Sequence, residues 1–176
     1  SINEICQEKN QNIEDIINYY ACDIEENEYC KKIFEDIFGN RTNYIITDEA
    51  HPNKLKEAYE NRFDIVLMCN VLHEINPACW LDVFSIIHSI LKENATLIII
   101  EDHLIPYGEK AYDNGFLVFD EDEFKMLFTL DSYKVDSQKE GRLKAHFFEK
   151  DFLTNVSETT IHSALSSHLS NSIRHI

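Results

Sequence analysis

Two rhythms of apolar residues run along the chain. In the first, apolar positions recur every three or four residues: Ile2, Ile5, Ile13, Ile16 and Ile17, then Tyr29, Ile33, Phe34 and Ile37 within "NEYCKKIFEDIFG". That spacing gathers apolar side chains on one face of a helix, and Gly39 suits the left-handed residue that ends one. In the second rhythm, apolar residues follow one another almost without a break: "INYYACDI", "NYIITDE", "FDIVLM" and "ATLIIIEDHLIP". Short runs of this kind read as strands of a sheet covered on both faces. A polar helix over 52–60 precedes the third run. Asn76 and Pro77 then open a helix predicted to reach Lys92, with Pro77 at its first position, where a missing N–H costs nothing.

Strands separated by helices predict a doubly wound α/β domain with a mostly parallel sheet. In such sheets ligands bind beyond the carboxyl ends of the strands. All four runs end in polar residues: Asp23, Asp48 with Glu49, Cys69 with Asn70, and Glu101 with Asp102 and His103. The spacing therefore predicts one polar rim. Further on, "DEDEFKMLFT" predicts a helix starting near Asp120 or Asp122. "SYKVDSQKEGRLKAHFFEKDFL" alternates on both sides of Gly141, the pattern of an antiparallel hairpin over 133–153. Ile161, Leu165, Leu169 and Ile173 then form one stripe of an amphipathic helix. The expected organisation is an α/β domain over 1–154 and a tail helix over 155–176, read as a packing or dimer helix.

Charge narrows the partners. The 176 residues hold 32 Asp and Glu against 16 Lys and Arg, a net charge of -16, so the surface should repel phosphate backbones and nucleic acid is excluded as a partner. No apolar stretch reaches the roughly 20 residues of a membrane-spanning helix. Five cysteines, an odd count without CxxC spacing, read as small reduced residues of a cytoplasmic protein.

"YYACDI", "YIITDEA", "FDIVLMCNVLHEI" and "LKENATLIIIEDHLIP", in that order and followed by the hairpin, resemble a class I S-adenosylmethionine-dependent methyltransferase. The resemblance implies a Rossmann-like sheet with S-adenosylmethionine as cofactor. It places Asp23 on the ribose hydroxyls, Asp48 and Glu49 near the adenine amino group, Ile24 against the adenine ring, and Cys69 with Asn70 beneath the sulfonium. One element of the family is missing. Its glycine-rich loop follows the first strand, yet the four glycines here stand at 39, 108, 115 and 141, none before Asp23. The chain is therefore expected to be a fragment that starts after the first strand and the loop, the alternative being a protein that has lost both.

"VLHEI", Trp80 and "IIIEDHLIP" are also similar to small-molecule O-methyltransferases. That likeness implies His73 as the general base that deprotonates an acceptor hydroxyl, oriented by Glu74 and Glu101. Imidazole suits the role because its ordinary pKa of about 6.5 lies near the operating pH. The plainer alternative makes His73 a wall of the pocket. "HEINP" is no zinc motif, since Pro77 stands where HExxH has its second histidine, and the remaining histidines lie mostly on predicted surfaces; no metal site is expected. His103, Tyr107 and Tyr112 are the candidate substrate contacts. The function expected is methyl transfer to a small-molecule acceptor or a side chain, in a homodimer or as part of a larger parent chain. Two alternatives stay open: a non-catalytic methyltransferase-like interaction domain, and an NAD-dependent oxidoreductase fragment.

Overall fold

The computed structural model describes residues 12, 16–23, 27–38, 43–46, 53–103, 118–137 and 141–174. They fall into two units, within residues 1–52 and 53–176. In the first, strand β1 (Tyr20–Asp23) pairs in parallel with β2 (Asn43–Ile46), and helix α1 (Glu28–Phe38) connects them. Asn27 caps α1, its side-chain oxygen accepting from the Cys30 N–H at 3.1 Å, which satisfies one of the amides a helix start leaves open. Tyr19 holds helix and strand together by stacking on Phe38, ring centres 4.5 Å apart.

The second unit runs α2 (Asn53–Tyr59), β3 (Phe63–Cys69), α3 (Trp80–Ile90), β4 (Leu91–Asp102), α4 (Glu121–Phe128), β5 (Lys134–Ser137), β6 (Leu143–Glu149) and α5 (Glu158–Arg174). Its four strands lie in the order β3-β4-β6-β5. β3 and β4 are parallel, whereas β6 runs antiparallel to both β4 and β5. This is the α/β fold that the apolar runs predict, with the hairpin around Gly141 closing the sheet.

Two boundaries differ from the sequence reading. α3 ends at Ile90 instead of Lys92, because Leu91 is already extended and starts a twelve-residue strand. Before α3, Asn76 and Pro77 open a short 3₁₀ turn over Pro77–Cys79, Asn76 accepting from the Ala78 N–H at 3.0 Å.

The core collects on one face of β4. Leu97 and Ile99 are fully buried there, joined by Phe148 of β6, Trp80 and Phe84 of α3, Phe124 and Phe128 of α4, and Ile161 and Ala164 of α5. β3 occupies an edge of this sheet, and its alternate residues Ile65 and Leu67 are 58% and 52% exposed on the opposite face. α4 is fastened by a capping box. The Asp120 carboxylate accepts from the Glu121 N–H at 2.8 Å, and Glu123 accepts from the Asp120 N–H at 3.1 Å. Asp120→Ala is expected to cost about 1 kcal/mol in urea unfolding; an unchanged midpoint would mean that the cap contributes nothing.

Candidate functional site

Parallel pairing in register, with Cys69 opposite Ile100, brings the carboxyl ends of β3 and β4 to one rim. β3 stops there because Asn70 turns left-handed (φ 51°), a conformation asparagine tolerates better than most residues. Its N–H still donates to the Ile100 carbonyl at 2.8 Å, so the turn begins within the ladder. The chain then coils into a 3₁₀ turn over Leu72–Glu74. Leu72 is packed into the core, and the Trp80 indole N–H donates to the Ile75 carbonyl at 3.0 Å. This sets the position of His73, which is 8% exposed.

Glu101 lies one pleat beyond Ile99 on the core face of β4 and is 1% exposed. A carboxylate at such depth must be hydrogen-bonded or lose its charge. Its Oε1 accepts from the Leu72 N–H at 3.1 Å, and its Oε2 is in close contact with His73 Nδ1. Burial pushes the Glu101 carboxyl above its ordinary range, and the pairing with His73 only partly reverses the effect. The two residues thus form a buried imidazole–carboxyl pair across the parallel strands. Glu101 thereby fixes the orientation of the imidazole through Nδ1.

Glu74 stands exposed in the same turn, so the carboxylate in contact with the His73 ring is Glu101. Cys69 and Asn70 sit at the rim, and burial followed by the Glu101 charge pushes the Cys69 thiol up. Asp23 closes β1 in the first unit and is exposed. Ile24, Asp48, Glu49, Tyr107 and Tyr112 lie outside the described residues.

A second polar group occupies the same face of the sheet. His103 continues β4, its N–H donating to the Arg142 carbonyl at 2.9 Å. Its ring centre lies 5.8 Å from that of His146 on β6. His146 is fully buried against Phe124, and its Nδ1 is 2.9 Å from the Tyr133 hydroxyl oxygen. Burial, then the neighbouring Lys144, lowers His103; burial, then His103 and Lys144, pulls His146 down to about 4. Burial and the acids at the start of α4 push the Tyr133 phenol up, so it keeps its proton.

The sequence reading placed most histidines on surfaces, and His146 departs from that. Alternation puts His146 on the same side of β6 as Phe148, which is wholly buried, but "KAHFFE" has a phenylalanine on each face and does not itself say which one is covered. Among the described residues, no group of three or more His, Cys, Asp and Glu could hold a metal ion. Nor is any helix among them long and apolar enough to cross a membrane.

No family model matches the sequence, and no curated protein does. Solved structures do. One is the 1,6-didemethyltoxoflavin-N1-methyltransferase of Burkholderia thailandensis with bound 1,6-didemethyltoxoflavin and S-adenosylhomocysteine, at TM-score 0.53 and 19% identity over 84% of this chain and 64% of that one. A SAM-dependent methyltransferase from Archaeoglobus fulgidus matches at TM-score 0.52 and 15% identity, over 84% of this chain and 80% of that one. The CurJ carbon methyltransferase matches at TM-score 0.54 and 13% identity, over 78% of this chain and 42% of that one. This chain spans less than two thirds of the Burkholderia and CurJ chains.

Proposed function

We propose that this chain, which has the fold of the class I S-adenosylmethionine-dependent methyltransferases, takes part in methyl transfer from S-adenosylmethionine to a small molecule or a side chain, with O-methylation favoured. The observation that carries the reading is the buried His73–Glu101 pair at the carboxyl ends of β3 and β4. The neighbours support methyl transfer in general: they include enzymes acting at nitrogen and at carbon, one of them holding S-adenosylhomocysteine.

When bound, S-adenosylmethionine supplies an electrophilic methyl group on a sulfonium. Taken unit by unit, two groups suit such a ligand: Asp23 of the first offers an exposed carboxylate of the kind that accepts from paired ribose hydroxyls, and Asn70 of the second exposes an amide side chain at the end of β3. His73 would take the proton of an acceptor hydroxyl, and Glu101 would hold the ring in place. The turn's packing through Leu72 and Trp80 fixes the position of that imidazole, and fixed positioning is most of what a methyl transfer requires of a protein.

Calorimetric titration tests the reading. S-adenosylmethionine is expected to bind with measurable heat and NAD to give none. Heat from NAD alone would make the chain an oxidoreductase piece, and heat from neither would leave an interaction domain; both results overturn the proposal. A screen of small phenols, amines and carboxylates with labelled S-adenosylmethionine would then identify the acceptor.

A further inference from the structure

The His73–Glu101 pair satisfies itself, but its neighbours on the same sheet face do not. Nε2 of His103 and Nε2 of His146 are both buried and, among the described residues, have no hydrogen-bond partner. Buried polar atoms almost always have one, so an orphaned pair calls for a ligand. The two ring centres lie 5.8 Å apart, tilted by 44°, so the two orphaned nitrogens belong to neighbouring rings on one face of the sheet.

We infer that His103 and His146 together bind a neutral hydroxyl group of the methyl acceptor, with Tyr133 fixing which nitrogen of His146 carries the proton. The inference rests on the methyl-transfer reading and names the chemistry its acceptor brings. With Tyr133 O–H, 2.9 Å from His146 Nδ1, as the donor of that pair, the His146 proton stands on Nε2 as a donor to the ligand. A hydroxyl oxygen accepts that bond and returns its own hydrogen to His103, so both orphans are answered by one group.

Charge argues for neutrality. Both imidazoles are held uncharged by burial, and the nearest ammonium, Lys144, is committed to Asp120 at 2.7 Å. Asp102, Asp120 and Glu121 are also near these rings, and the two cations beside them, Lys144 and Arg142, are already paired with Asp120 and Asp102, so a carboxylate would enter an acidic neighbourhood. Position argues for the acceptor. Glu101 and His103 are successive residues on one face of β4, about 7 Å apart by strand geometry. A planar molecule can therefore present one oxygen to His73 and another to the imidazole pair.

The test follows the histidine ring nitrogens by ¹⁵N NMR in the full chain without cofactor. Three probes share one ring system: 2-naphthol, 2-methoxynaphthalene and 2-naphthoate. Naphthol is expected to shift the ring nitrogens of His103 and His146 saturably, the ether to do so more weakly, and the carboxylate not at all. Tyr133→Phe, which keeps the packed ring, should weaken naphthol about tenfold, the worth of one neutral hydrogen bond. It should also redistribute the His146 proton between Nδ1 and Nε2. Unshifted imidazoles, equal shifts from naphthoate, or an unchanged affinity in Tyr133→Phe would overturn the inference. Binding of S-adenosylmethionine without any naphthol effect would remove this site and leave the methyl-transfer reading intact. Naphthol binding without S-adenosylmethionine binding would support the hydroxyl site while the methyl-transfer reading falls.

Discussion

His73→Ala is expected to lower methyl-transfer turnover by about 10²–10⁴-fold while leaving the affinity for S-adenosylmethionine near its wild-type value. The size follows from the loss of a positioned general base, and the selectivity follows from where His73 sits. Its ring is tied through Nδ1 to Glu101, inside a turn held by Leu72 and Trp80, and in the proposed reading it meets the acceptor's proton and not the cofactor. Asp23→Ala should show the opposite phenotype: cofactor binding weakened by about 1.5–3 kcal/mol for each charge-assisted bond lost, with little change in turnover at saturation. Steady-state kinetics with a calorimetric Kd for each variant separates the two. If His73→Ala keeps its turnover at neutral pH, the imidazole is pocket wall, and the acceptor is a group that needs no base, such as an amine, a thiol or a carbon.

The apolar runs were enough to read the sheet, because a strand covered by helices has little room for polar residues. "FDIVLM" and "ATLIIIED" pair in parallel, and alternation around Gly141 gives the antiparallel β5–β6 hairpin. The same runs could not say which face of each strand is covered. Ile65 and Leu67 belong to an unbroken apolar stretch and yet lie more than half exposed on an edge strand. At the candidate site, the polar residues closing each run were visible, but their partners were not. His73 and Glu101 are far apart in sequence, and only the register of β3 against β4 decides that Glu101, and not the adjacent Glu74, meets the imidazole. His146 was harder still, since a single histidine in an alternating strand reads equally well as inward or outward until Phe148 is known to be buried beside it.

His146 should also govern how the fold responds to acid. The imidazole is wholly buried, and its pKa of about 4 lies below the ordinary 6.5 because burial, His103 and Lys144 all oppose a second proton. The unfolded chain accepts that proton at higher pH than the folded one. Stability is therefore retained above about pH 6.5 and lost as the pH falls toward 4, by roughly 3 kcal/mol at most. His103, lowered in the same way, acts in the same direction. Glu101 acts in the opposite one: its raised carboxyl gives the folded state extra affinity for a proton below neutrality, so its contribution grows as the pH falls. Comparing wild type with His146→Phe isolates the His146 effect, because Glu101 and His103 are common to both and phenylalanine fills the space among Phe124, Phe148 and Tyr133. Urea unfolding at pH 7 and at pH 4 should show the wild type losing about 3 kcal/mol more than the variant. Parallel losses in the two proteins would mean that His146 accepts its proton inside the fold as readily as outside it, and the neutral imidazole pair would have to be abandoned.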